Sequence, residues 1–128
     1  MCLVKKLFIN NVIRRRKMKF LIVDDNSNWI ETLARTFQQR SNVRAVQCLS
    51  VQDVIGEINN FKPDIVFLDH RLSPGGNEGF EVVGAVTGVK FYSTTTSREV
   101  IEEYRDLDIE VIGSDLDKME AIINASAS

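Results

Sequence analysis

The chain is poor in cysteine and proline, has a single histidine, and contains no long apolar run. Its two cysteines, Cys2 and Cys48, are far apart and form neither a CxxC pair nor a metal-ligand spacing. That excludes a disulfide framework and a zinc knuckle, and it points to free thiols in a reducing, cytoplasmic setting. No stretch approaches the ~18 apolar residues of a membrane span. Two prolines and seven glycines in 128 residues argue against a low-complexity or fibrous chain. No internal repeat is visible. The length suits one domain able to bury most of its unfolded surface.

Charge is unevenly placed. Seven of the sixteen Lys and Arg fall in residues 1–19, which hold no acid. The remaining nine face all eighteen Asp and Glu, so the body carries a net charge of −9. An acidic body argues against a nucleic-acid surface. Residues 1–17 stand apart as a basic extension, and residues 18–128 as the folded domain. For the extension three readings stay open. It is a disordered segment or a translation-start artefact before Met18. It is a basic amphipathic helix touching an anionic membrane or a partner. Or it is a signal peptide, although Asn10 and Asn11 break its apolar stretch.

From Met18 onward, short apolar runs alternate with helical patterns, as in an α/β domain with a doubly wound parallel sheet. Phe20-Leu21-Ile22-Val23 and Ile65-Val66-Phe67-Leu68 read as buried strands, because a strand covered on both faces has no polar alternation. Val43–Cys48, Val89–Ser93 and Ile109–Gly113 read as three more. Asn28 with Glu31, Ser50 with Asp53, and Thr96 with Glu99 read as helix starts. Ile30, Leu33, Ala34 and Phe37 make one inward helical stripe. Val51, Val54, Ile55 and Ile58 make a second, ending near Asn59 and Asn60. Leu116, Met119, Ile122 and Ile123 make a last one. A helix from Gly79 to about Val86 has room for about two turns.

The chemistry collects at strand ends. The first strand closes on Asp24 and Asp25, the third on Asp69. In open α/β sheets the site lies beyond the carboxyl ends of the strands where strand order reverses. If the two strands are neighbours, three carboxylates converge and repel. A hard cation such as Mg²⁺, which prefers oxygen ligands, relieves that repulsion.

These segments resemble the receiver domains of two-component response regulators, from about Met18 to the C-terminus. Lys19–Asn26 is similar to the first receiver strand, and Pro63–Asp69 to the third, which ends on the phospho-accepting Asp. Pro74, Gly75, Gly76 and Gly79 resemble the loop that follows it. Val89–Ser93 resembles the fourth strand, with Ser93 as the switch hydroxyl; Thr94, Thr95 and Thr96 adjoin it, so the register is set to within one residue. The resemblance implies a flavodoxin-like strand order 2-1-3-4-5 with helices on both faces. It implies a CheY-like, stand-alone phosphorelay module that accepts a phosphoryl group on Asp69. The donor would be a histidine kinase or histidine phosphotransfer protein. Mg²⁺ would be held by Asp24, Asp25, Asp69 and the backbone carbonyl of Arg71. Signalling would pass to a downstream protein at the fourth-helix face, where Glu99, Glu102, Glu103 and Asp106 form an acidic, solvated surface. On this reading the protein is not an enzyme beyond its own phosphorylation and dephosphorylation.

Departures matter too. Receivers normally carry Lys-Pro after the fifth strand, and Ser114-Asp115 stands there, with Lys118 a substitute four residues on. Val111 takes the place of the switch aromatic. The loop from Asp69 to Gly79 is long. His70 reads as a rim residue. The alternative is a pseudo-receiver that binds a partner without phosphorylation. A haloacid-dehalogenase-type phosphatase would need a second Asp two residues after the nucleophile, where this chain has Arg71.

Overall fold

The computed structural model describes residues 17–126. The alternatives for the basic extension, and Cys2 with them, therefore fall outside the described residues. The elements in chain order are β1 (Phe20–Asp24), α1 (Ser27–Thr36), β2 (Val43–Gln47), α2 (Val51–Phe61) and β3 (Ile65–Leu68). There follow α3 (Glu78–Ala85), β4 (Lys90–Ser93), α4 (Arg98–Asp106), β5 (Glu110–Val111) and α5 (Leu116–Ser126). The five strands form one sheet in order β2-β1-β3-β4-β5, every pair parallel.

Period-two alternation along the central strands feeds two cores. Leu21, Val23, Val66 and Leu68 face one side with Val54 and Ile58 of α2, Val82 of α3, and Val100 and Tyr104 of α4. Phe20, Ile22, Ile65 and Phe67 face the other with Ile30 and Leu33 of α1 and Met119 and Ile123 of α5. Coverage on both faces is why β1 and β3 are unbroken apolar runs. Phe20, Phe67 and Tyr92 stack across the second face, with centroids 6.5 Å and 5.5 Å apart.

The helix starts differ in part from the sequence reading. The N-cap of α1 is Asn26, not Asn28: its side-chain oxygen accepts from the N–H groups of Asn28 (3.0 Å) and Trp29 (3.1 Å). Asn26 sits where the chain turns out of the sheet in extended conformation, the backbone state an N-cap requires. Glu31 instead pairs with Arg35 on the exposed face, and Ala34 is exposed. At α2 the expected cap is present, with Ser50 Oγ accepting from Asp53 N–H at 3.1 Å. That helix runs past Asn59 and Asn60 to Phe61, and Lys62 closes it in left-handed conformation, φ 55°. The start of α4 is Ser97 rather than Thr96, with no side-chain cap bond.

The fifth strand is shorter than Ile109–Gly113. Only Glu110 and Val111 pair with β4, at Tyr92 and Ser93. Ile109 N–H is taken by Tyr104 C=O at 2.9 Å, at the end of α4, and Gly113 turns away at φ +64°. The sheet edge is left with one short ladder.

Phe67 is fully buried at the centre of the sheet and stacks on two rings. Phe67→Ala should cost about 3–5 kcal/mol of unfolding free energy, because partial collapse leaves a cavity. Urea denaturation checks this, and a loss below ~1 kcal/mol would contradict the packing described.

Candidate functional site: an acidic pocket at the carboxyl edge of the sheet

Strand register builds the site. Val23 pairs with Leu68, and Leu68 pairs with Ser93. Asp69 N–H then bonds Val23 C=O at 3.1 Å, and Thr94 N–H bonds Leu68 C=O at 3.0 Å. The residues just past the three strand ends are therefore brought side by side. They open into a pocket of about 380 Å³ lined by Asp24, Asp25, Asn26, Trp29, Asp69, Thr94, Thr96 and Ser114. One carboxylate oxygen each of Asp24, Asp25 and Asp69 lies within 4.8 Å of the others, close enough for a single cation to reach all three.

Few donors balance this cluster. Asp24 Oδ1 accepts from Asn26 N–H at 2.9 Å, and Asp69 Oδ1 from His70 N–H at 2.9 Å. Among the described residues, no Lys or Arg lines the pocket. Burial pushes Asp69 up to about 7, and the charges of Asp24 and Asp25 push in the same direction. Burial also raises Asp24 to about 6, with Asp25 adding to it and the Asn26 N–H opposing. Oxygen-only ligands, close approach and unrelieved negative charge fit a hard divalent cation such as Mg²⁺.

The other residues singled out from sequence are placed unevenly. Ser93 does not line the pocket. It shares strand parity with Leu68, so its side chain turns to the α4 side, and its Oγ accepts from Thr95 N–H at 3.3 Å. Thr94 shares the parity of Tyr92, Phe67 and Ile22, as Asp69 and Asp24 do, and it lines the pocket together with the hydroxyl residues Thr96 and Ser114. Its Oγ1 is buried with no hydrogen-bond partner, a condition that calls for a ligand or water. Lys118 points elsewhere: its Nζ lies 4.0 Å from Glu110, and its side chain is about half exposed. Its backbone N–H is capped by Asp115 at 3.1 Å. Ser114 occupies the pocket wall instead. The Arg71 guanidinium is exposed, 3.5 Å from Glu99 on α4.

His70 is not a rim residue. It is fully buried, with Nδ1 2.6 Å from Tyr104 Oη and Nε2 3.1 Å from Asn77 Oδ1. An aliphatic-looking helix face and a lone His gave no sequence signal that the two would meet. Asn77 Oδ1 can only accept, so Nε2 carries the hydrogen and Nδ1 accepts from the tyrosine hydroxyl. Phe80 packs against both rings, at 4.6 Å from His70 and 4.5 Å from Tyr104. Gly79 makes room: a Cβ there would collide with the Tyr104 hydroxyl and stand 2.9 Å from His70 Cα.

No protein-family model matches this chain, and no curated protein matches it. Solved structures do. A CheY-like receiver domain from Methylobacillus flagellatus superposes with a TM-score of 0.66 at 19% identity, over 86% of this chain and 98% of that one. The N-terminal domain of the nisin resistance regulator NsrR, a lantibiotic response regulator, gives 0.64 at 18%, over 88% and 100%. The beryllofluoride-activated receiver domain of nitrogen regulatory protein C gives 0.66 at 15%, over 87% and 94%. The fold is thus that of response regulator receiver domains, five parallel strands in order 2-1-3-4-5 between two helical layers. No described helix is long and apolar enough to cross a membrane.

The raised carboxyls set a pH dependence for the metal-free protein. Asp69 and Asp24 bind protons more tightly folded than unfolded, so stability is fully present below about pH 4 and is lost as pH rises toward about 7. With chelator present, the contribution of these groups should lower Tm across that window, and Mg²⁺ should restore it at the upper end. Asp69→Asn should raise the metal-free Tm at pH 8. A lower Tm in that variant would show that Asp69 is not held against its charge.

Proposed function

We propose that this chain is a receiver module that takes a phosphoryl group on Asp69 and passes the change to a protein partner. The observation that carries the reading is the convergence of Asp24, Asp25 and Asp69 in one pocket with the unpartnered Thr94 hydroxyl. A receiver fold with beryllofluoride-activated matches supports it. The donor is a phosphohistidine on a kinase or phosphotransfer protein. An Asp69 oxygen attacks phosphorus, the P–N bond breaks, and the electron pair leaves with the imidazole nitrogen, which takes up a proton. Hydrolysis of the resulting acyl phosphate by water returns the carboxylate.

Asp24, Asp25 and Asp69, with the Arg71 carbonyl, would hold Mg²⁺, which neutralises carboxylate and phosphoryl charge so that an anionic donor can approach. The Thr94 Oγ1–H, buried without a partner, would donate to a phosphoryl oxygen; the Ser93 hydroxyl turns to the other side of the sheet, beside Tyr104. The acidic outer face of α4 is the surface for a downstream partner, and a cytoplasmic, membrane-free setting with no nucleic-acid contact suits an acidic domain of this kind.

A second reading has its own observation. Among the described residues no cationic side chain lines the pocket, Ser114 stands where receivers carry Lys, and Lys118 turns to Glu110. A pseudo-receiver, binding its partner without phosphorylation, is consistent with that.

Intact-mass measurement after incubation with acetyl phosphate and Mg²⁺ separates the two. A gain of one phosphoryl group that is absent in Asp69→Asn is expected. No gain in the wild type, with the fold intact, would favour the pseudo-receiver. Thr94→Val should slow labelling and Ser93→Ala should not; the reverse order would return the hydroxyl role to Ser93.

A further inference from the structure

We propose that His70 and Tyr104 are a positioning pair that ties the state of Asp69 to helix α4, in place of a route through the fifth strand. The inference rests on the receiver reading, and it concerns how the site is read out.

His70 is held at four points. Its N–H donates to Asp69 Oδ1 at 2.9 Å, and its C=O accepts from Gly79 N–H at 2.8 Å. Its ring bridges Tyr104 Oη at 2.6 Å and Asn77 Oδ1 at 3.1 Å. Every polar atom of a fully buried residue is thereby used, which leaves it one well-defined position. Asp69 and Tyr104 are thus two bonds apart through one rigid residue. Tyr104 is itself buried and belongs to α4, and Phe80 clamps the two rings on the third side.

The neighbours of the pair leave little slack. Gly79 has no side chain because the Tyr104 hydroxyl fills that space. A displacement of the Asp69–His70 peptide must therefore be taken up by the tyrosine and the helix that carries it. When the Asp69 carboxylate oxygen that accepts from His70 N–H is engaged differently, this peptide bond loses or changes its acceptor. The two states of the site then differ in a contact that reaches α4, the differential interaction a population shift needs.

The fifth strand offers no comparable path. It pairs with β4 at Glu110 and Val111, with one further bond from Ile112 N–H to Ser93 C=O at 2.8 Å, and Val111 has an apolar side chain packed at the edge of the core. Lys118 is engaged with Glu110 rather than with the pocket.

The test compares amide NMR spectra of the full chain with Mg²⁺ and beryllofluoride, a phosphoryl mimic, against Mg²⁺ alone. Tyr104→Phe removes the hydroxyl and keeps the ring. Val111→Ala trims the fifth-strand route and serves as the second variant. In the wild type, shifts are expected both at Asp24, Asp25 and Asp69 and along Arg98–Asp106. In Tyr104→Phe the shifts at the carboxylates should remain and those of α4 should be lost, while Val111→Ala keeps both. A purely structural role for Tyr104 would not separate the two sets. Full α4 shifts in Tyr104→Phe, or their loss in Val111→Ala alone, would overturn the pair and leave Asp69 as acceptor. Absence of shifts at the carboxylates in the wild type would overturn the acceptor reading, and the pair with it.

Discussion

The structure depends on the pairing of β1 with β3. Phe20–Val23 of β1 and all of β3 are apolar and covered on both faces, and the strands are in register so that Val23 meets Leu68. Once that register is set, Asp69 must sit beside Asp24 and Asp25. Burial of the strands is what makes the carboxylates costly: the same desolvation that stabilises Phe20 to Val23 and Ile65 to Leu68 pushes Asp24 and Asp69 upward. The acidic cluster is a local destabilisation borne by a strongly apolar sheet. Such a site gains stability from any ligand that binds only the folded state.

What could be read from the residues followed from how many constraints act on each. The apolar strands and the three strand-end Asp were legible, because burial on two faces permits few residue types; the strand order came from the resemblance to receiver domains. Helix stripes were legible for the same reason, with Met119 and Ile123 buried as their spacing requires. Boundaries were less so. Asn26 and Asn28 are both good caps, and only the exit angle of the chain from β1 decides between them. The fifth strand was overestimated because only Glu110 and Val111 pair residue for residue with β4: Ile109 N–H serves the end of α4, and Ile112 adds one bond to Ser93 C=O at 2.8 Å while its side chain joins the second core.

The hydroxyl and the histidine show a different kind of limit. Ser93 and Thr94 are chemically alike, and which one faces the carboxylates depends on parity across a strand pairing. A shift of one residue moves a side chain to the opposite face. Counting from Ile65 opposite Lys90 puts Asp69 opposite Thr94, a count available only once that pairing is known. His70 and Tyr104 are thirty-four residues apart and belong to different elements. Nothing local marks their contact except Gly79, whose missing side chain is explained only by the tyrosine hydroxyl above it. The missing Lys after the fifth strand was visible in Ser114, but the fate of Lys118 was not, because a half-exposed lysine in a first helical turn can face either way.

The three carboxylates are proposed to act together as a cation site. Trp29 is the single tryptophan in the chain and lines the same pocket, so its fluorescence reports on the site directly. Titration with Mg²⁺ at pH 8 should give a saturable change in the wild type. Asp25→Asn should move its midpoint to at least about tenfold higher Mg²⁺. A wild-type signal that does not respond to Mg²⁺, or superimposable curves for the two proteins, would contradict the account.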